Sequence, residues 1–210
     1  MAYDFKKEQK ELYQPKTKPV IVDVPPMRFL MMDGQGNPNT SADYQNSLNV
    51  LYGLSYTIKM TKDWPGWFEY VVPPLEGLWR VNDQLFTGPD SIPLNKADLI
   101  WTAMIRQPEF VTEAVLTGAL DILRRKKPEL DPTGVRLEEY HEGLCVQVLH
   151  IGSYDAEPET IRAMDRFAAE SGYEIDMSGE RRHHEIYLSD PRRTAQGKLK
   201  TVLRHPIRLK

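Results

Sequence analysis

The run Gln147-Val148-Leu149-His150-Ile151-Gly152 has a counterpart 118 residues earlier in Phe29-Leu30-Met31-Met32-Asp33-Gly34. Both are apolar stretches of strand length that end on glycine and lead through polar residues into a helix-like pattern. Two further matches follow in the same order. Tyr56-Thr57-Ile58-Lys59-Met60 answers to Tyr173-Glu174-Ile175-Asp176-Met177, and Trp67-Phe68-Glu69-Tyr70-Val71-Val72-Pro73 to His183-His184-Glu185-Ile186-Tyr187-Leu188-Ser189. The offset falls from 118 to 117 to 116, one residue lost in each connecting loop, as the loops of a duplicated unit drift. Three matches in order predict an α+β fold in which two β-α-β-β units, 18–107 and 108–210, are related by a pseudo-two-fold axis within a single domain, 1–210.

In the first unit, residues 20–34 read as extended chain bent at Pro25-Pro26. Thr40 with Asp43 reads as a capping pair for a helix whose face carries Tyr44, Leu48, Leu51 and Tyr52 and which Gly53 ends. Residues 67–72 and 99–105 read as strands, joined by a Pro/Gly-containing connection, 73–96, with an apolar piece at 78–81. An additional helix, opened by Pro108 and carrying Val111, Val115, Ala119 and Ile122, precedes the second unit; basic residues at its C-terminal end and Pro128 close it. The charged segment 4–13 is its counterpart before the first unit. In the second unit residues 144–152 are the first strand, Pro158 opens a helix that turns Ile161, Met164 and Ala168 inward, and 183–188 and 200–204 are strands.

Composition narrows the function. The chain has 210 residues, 40% hydrophobic and 27% charged, enough apolar material for a packed core. Its 27 Lys+Arg against 30 Asp+Glu give a net charge of −3, so no overall basic field suits nucleic acid; the nine Lys/Arg against three Asp/Glu in residues 178–210 read as a solvated edge. A lone cysteine, Cys145, excludes an internal disulfide framework, fits a reducing compartment and sits in an apolar strand as a buried thiol. The opening MAYDFKKEQKELY is charged where a signal peptide needs an apolar run, and no stretch approaches the roughly 20 apolar residues of a membrane span. Cytoplasm, with no membrane or direct nucleic-acid partner, is the expectation. Dinucleotide, P-loop and α/β-hydrolase signatures are absent from the sequence.

The strand pattern selects the candidate chemistry. Alternation puts Ile186 and Leu188 on a face that packs on helices and His183, Glu185 and Tyr187 on the other; likewise Trp67, Glu69 and Val71 oppose Phe68, Tyr70 and Val72. A glutamate inside a strand is disfavoured, and here it recurs once per unit, at Glu69 and Glu185. Facing each other across the axis and flanked by Trp67 and Tyr187, two carboxylates would form an acidic, aromatic cleft suited to cationic or flat organic ligands. The apolar flank of Glu69 favours a ligand-gripping role, and the polar flank of Glu185 an ionised base. The plain alternatives are a solvent-facing sheet residue for each glutamate and core packing for Trp64, Trp67, Trp79 and Trp101. His183-His184, with Glu185, His150 or His141, invites a metal, but neighbours on a strand point to opposite faces and no second ligand pair stands at metal spacing, so no metal is expected.

The run from His183 to Thr194 followed by Lys200-Thr201-Val202-Leu203-Arg204, with Trp101-Thr102-Ala103-Met104-Ile105-Arg106-Gln107-Pro108 and residues 142–152, resembles the GyrI-like small-molecule-binding family over most of 18–208. The resemblance implies a duplicated SHS2-type fold around a central ligand cleft and places Glu185 at the glutamate presented there. Relatives include sensing domains fused to DNA-binding modules, a gyrase inhibitor, and stand-alone hydrolases that open the cyclopropane of DNA-alkylating natural products. About 17 residues before the first strand set the expectation of no helix-turn-helix module. Gyrase inhibitors are generally shorter and more acidic, so a gyrase partner has weak support. The first expectation is therefore a cofactor-independent hydrolase: Glu185 activates water, Tyr187 or Tyr70 donates to the dienone oxygen, Trp67 and Trp101 form aromatic walls, and Glu69 and His183 complete the site. The second is a protein that binds or sequesters hydrophobic, cationic drug-like ligands without chemistry, for which the same aromatic and acidic side chains suffice.

Overall fold

The computed structural model describes residues 2–81, 95–178 and 180–210 and shows which stretches of this chain form strands and where they pair. In chain order the described elements are α1 (Phe5–Glu8), α2 (Lys10–Tyr13), β1 (Val20–Val24), β2 (Met27–Gln35), α3 (Ala42–Met60), β3 (Leu75–Val81), β4 (Leu99–Arg106), α4 (Glu113–Lys126), β5 (Arg136–Tyr140), β6 (Gly143–Ile151), α5 (Glu157–Glu170), β7 (Tyr173–Ile175), β8 (His183–Tyr187) and β9 (Lys200–Leu209). The class is α+β, with antiparallel pairing throughout the named ladders.

The contacts divide the chain into two compact units that are not contiguous in sequence. One is drawn from Met1–Asp4, Met27–Pro73 and Val81–Tyr140, the other from Phe5–Pro26, Pro74–Arg80 and His141–Lys210. In the first, β2 is central: it pairs with β4 from Phe29↔Arg106 to Gln35↔Ile100 and with β5 from Met27↔Tyr140 to Met31↔Arg136. α3 packs on β2 and β4, and α4 packs on α3, burying Leu51, Leu54, Ile58, Met104 and Leu123. Gly34 stands opposite Trp101, and a Cβ there would run into the indole ring, so a side chain at that position would displace the buried tryptophan. In the second unit the order is β1-β6-β9-β8-β3, with β7 on the far end of β9. α5 seats Met164 and Ala168 on Val146, Val148, Leu203 and Ile207.

Several sequence expectations need correction. Residues 67–72 are not a strand: apart from an isolated bridge between Tyr3 and Tyr70 they are irregular, and the strand forms at β3 instead. Pro65 before this segment and Pro73-Pro74 after it lack the N–H with which a ladder could continue at either end, and Phe68 and Tyr70 are taken up by ring contacts with Phe110. Tyr56–Met60 is the last turn of α3, whereas its presumed counterpart contains strand β7. Of the three matched pairs of segments, only 29–34 and 147–152 both fall on strands, β2 and β6, with Gly152 just past the end of β6. α3 continues through Gly53, against which Leu123 packs, and is capped by Ser41, not Thr40: the Ser41 side chain accepts from the Tyr44 N–H. α4 begins at Glu113 under a Thr112 cap and packs on α3, so the helix expected to precede the second unit lies with the first. Within the 73–96 connection, residues 82–94 lie outside the described residues.

Candidate active site

The site is built on β8, whose period of two sends alternate side chains to opposite sheet faces. Tight pairing with β9 and β3 fixes the neighbours: His183 lies opposite Trp79 with its ring against that of His205, Glu185 opposite Leu203 and Gly77, and His184 opposite Arg204 and Leu78. Directly opposed residues share a face. His183, Glu185, Tyr187, His205 and Trp79 therefore gather on one side, and His184, Arg204 and Glu76 on the other.

On the first side both Glu185 oxygens are engaged. The Trp79 indole N–H can only donate, so it gives its proton to the Tyr187 hydroxyl at 3.0 Å, and that hydroxyl donates to Glu185 Oε2 at 2.7 Å. His183 Nε2 lies 3.0 Å from Glu185 Oε1. The row continues away from the carboxylate: His183 Nδ1 is 2.7 Å from His205 Nε2, and His205 Nδ1 is 2.6 Å from Asp165 Oδ1 on α5. Gly77 makes this arrangement possible. A Cβ there would come within 2.7 Å of Trp79 Nε1 and 3.2 Å of the Tyr187 hydroxyl. The His183 and Glu185 side chains keep 16% and 15% exposure, which leaves them within reach of water. Tyr154 sets its ring edge-on to Tyr187 at 6.0 Å; burial, with the charge of Glu185 second, pushes its hydroxyl up to about 12 and holds it neutral.

The opposite side is sealed. His184 faces a carboxylate at each ring nitrogen, Glu142 at 3.0 Å and Glu76 at 2.9 Å, so both nitrogens donate and the ring is an imidazolium. Burial alone would lower its pKa, but the charge and hydrogen bonds of Glu142 and Glu76 raise it to about 9. Arg204 donates to Glu142 at 2.8 Å, to Gln147 Oε1 at 3.0 Å and to the Leu12 carbonyl at 2.9 Å, and the Tyr13 hydroxyl donates to Glu76. Burial raises the Glu142 carboxyl, but His184 and Arg204 outweigh it and bring the group down to about 2. Two carboxylates and two cations thus balance in a space where an unpaired charge would be prohibitive.

The sequence expected helices only on the Ile186 face. That is corrected: the Ile186 face carries the α2 contacts of Leu12 and Tyr13, while α5 packs on the Glu185 face, its weight on β6 and β9. Glu185, Tyr187 and His183 are brought together as expected from alternation. Glu69 is exposed on irregular chain, with its carbonyl accepting from the Tyr3 N–H, so its pairing with Glu185 as strand equivalents does not hold. Trp67 donates its N–H to the Lys59 carbonyl, and Lys62 stands over its ring. Tyr70 is buried among Phe68 and Phe110, and burial raises its hydroxyl pKa, so it stays protonated. Trp101 is buried against Tyr44, its indole nitrogen without a hydrogen-bond partner. Cys145 is buried.

Sequence reasoning missed Asp165, His205, Glu76, Glu142 and Arg204 as partners. The available signal was charge within apolar pattern: Asp165 follows the inward Met164, and Arg204-His205 interrupts the apolar run from Val202 to Ile207. Among the described residues no group of His, Cys, Asp and Glu is arranged to hold a metal ion, and no helix is long and apolar enough to cross a membrane. Two surface cavities lie elsewhere, one of about 360 Å³ at His150, Glu159 and Thr160, the other of about 300 Å³ at Arg28, Glu113 and Glu138.

Fold and site together define an antiparallel α+β protein that presents a carboxylate, an imidazole and a phenol on one face of a sheet. Residues 17–208 match the model of the GyrI-like small molecule binding domain, and the chain belongs to that family. Three solved structures from Listeria innocua are similar over their whole length. An uncharacterized conserved protein is 43% identical with a TM-score of 0.91 and covers 98% of this chain and 100% of its own. A hydrolase is 41% identical with a TM-score of 0.88, over 98% of this chain and 100% of its own. A second structure described as a hydrolase is 42% identical with a TM-score of 0.90, over 99% and 100%. No curated protein matches the chain.

Proposed function

We propose that this protein is a hydrolase that adds water to the strained ring of DNA-alkylating cyclopropanoid compounds, with Glu185 as the base. The observation that carries the reading is the Glu185 carboxylate held at both oxygens, by His183 and by Tyr187, on a partly exposed sheet face. A carboxylate fixed in this way retains lone pairs for a water molecule, the geometry general-base catalysis requires. In the step proposed, a water O–H proton passes to Glu185 as the water oxygen bonds to a cyclopropane carbon. The ring C–C bond breaks, its electron pair moves through the dienone to oxygen, and a phenolate forms. The Tyr187 proton turns to the phenolate and completes the phenol, and the proton gained by Glu185 passes across the 2.7 Å contact between Oε2 and the Tyr187 oxygen, restoring both groups. Similarity to the two Listeria innocua hydrolases supports water as the second reactant. With the short β7 set aside, β2-α3-β3-β4 and β6-α5-β8-β9 repeat one succession in chain order, which supports a duplicated SHS2-type origin.

A second reading, binding without chemistry, draws on the ring of Tyr154 set against Tyr187 beside the Glu185 carboxylate, a setting that also attracts delocalised cations. One experiment separates the two. Purified protein is incubated with a spirocyclopropyl-dienone and product is followed by mass. The hydrolase gives many equivalents of hydrated product, and Glu185→Gln lowers the rate about 100- to 10,000-fold. Return of unchanged compound after stoichiometric binding rejects the hydrolase in favour of sequestration.

A further inference from the structure

The row Asp165, His205, His183, Glu185 contains three contacts, at 2.6, 2.7 and 3.0 Å, and each needs one proton to be a hydrogen bond. The end groups are carboxyl groups, and an ionised carboxylate only accepts. Two neutral imidazoles bring two protons. If His205 donates from Nδ1 to Asp165, its Nε2 must accept from His183 Nδ1, and His183 Nε2 is then left as a bare lone pair facing Glu185 Oε1. The Tyr187 proton cannot repair this, because it is already directed at Oε2.

We propose that Asp165 and His205 are positioning residues for Glu185: they fix the orientation of His183, and the row closes by carrying a third ring proton, on His183 Nε2. This deepens the hydrolase reading and rests on it for the role of Glu185. Glu185 accepts from Tyr187 at Oε2, and with His183 Nε2 donating to Oε1 both of its oxygens are acceptors, so in the row proposed the third proton belongs to the ring. Burial, the dominant influence, lowers the His205 pKa against the hydrogen bond of Asp165, with His183 adding to the lowering, so in the row proposed the third proton stands on the less buried of the two rings. The charged and titratable groups acting on the two rings are Asp165 from α5, Glu142 from before β6, and Glu185 with Tyr187 on β8. The effect is to pin Glu185 Oε1 with a charge-assisted donor as Tyr187 pins Oε2, so the base meets its water in one orientation.

The test is ¹⁵N NMR of histidine-labelled protein at pH 7, with His183 and His205 assigned through single His→Gln variants. Wild type is expected to show three protonated ring nitrogens across the two residues. In Asp165→Asn the side-chain amide can donate to His205 Nδ1; the row then closes in the reverse sense with two, and one ring proton is lost. Two protons in wild type, or three retained in Asp165→Asn, overturns the proposal. On the spirocyclopropyl-dienone, His205→Leu is expected to lower kcat about 100-fold at unchanged KM, and a raised KM at unchanged kcat overturns the positioning role. Three ring protons in wild type with no turnover of the compound would sink the hydrolase reading while leaving the proton count standing.

Discussion

Adjacent histidines on β8 lead to two different worlds. His184 lies on a face whose ionic groups are fully buried and charge-balanced, with every strong partner accounted for. His183 lies on a face that keeps partial exposure, and its row of partners lacks a proton unless one is added. Both networks use the same residue types. The difference is that a sealed network with paired charges holds parts of the fold together, whereas an open one with spare lone pairs can exchange protons with a bound molecule.

The comparison can be broken most forcefully at Arg204. Arg204→Met leaves Glu142 facing His184 without its second cation and frees the Gln147 and Leu12 acceptors, and it is expected to cost about 3–5 kcal/mol of stability by urea unfolding. A loss under about 1 kcal/mol would mean that this face is not the structural one.

Changing pH exchanges single protons on the same face and should do less. Glu142 is held below its ordinary value, so its contribution is present above about pH 4.5 and fades as pH falls toward 2. His184 is held above its ordinary value, so its contribution is full below about pH 6.5 and fades as pH rises through about 9. Unfolding midpoints measured across pH should therefore fall below about 4.5 and above about 6.5, with the lowered pKa of His205 tilting the interval between them upward toward pH 6.5; a midpoint still rising beyond pH 9 would contradict the assignment.

On the open face, Gly77→Ala pushes a methyl group against Trp79 and Tyr187 and is expected to cost about 1–3 kcal/mol. It should also separate the Trp79 N–H from the Tyr187 hydroxyl, visible as a change in tryptophan fluorescence. The smallest effect is expected from Tyr187→Phe, which removes one donor from Glu185 and leaves His183 in place. It should slow turnover of the dienone about 10-fold with little change in stability, and an unchanged rate would remove Tyr187 from the chemistry.

How much of this the sequence reveals depends on range. The strands read around 29–34 and 147–152 and the alternation that unites His183, Glu185 and Tyr187 are local patterns, and both appear in the structure, with β2 running one residue past Gly34 and β6 stopping one short of Gly152. The presumed strand at 67–72 fails because prolines and aromatic packing override an apolar run, and with it goes the equivalence of Glu69 and Glu185. Partners brought together by tertiary pairing are invisible to spacing: Arg204 reaches back 192 residues to Leu12, and His184 reaches 108 residues to Glu76. Asp165 and His205 are closer, 40 residues apart, but nothing in either segment alone says that helix and strand will align them.

The most direct test sets one carboxylate from each face side by side. Glu185→Gln and Glu142→Gln are compared for unfolding free energy and for turnover of the spirocyclopropyl-dienone per folded molecule. Glu185→Gln is expected to lose about 100-fold or more in turnover while its stability stays within about 1 kcal/mol of wild type, and Glu142→Gln to lose several kcal/mol of stability while the folded fraction keeps its rate. A Glu185→Gln protein that turns over normally, or a Glu142→Gln protein that is stable but inactive, would contradict the division of β8 into a structural and a chemical face.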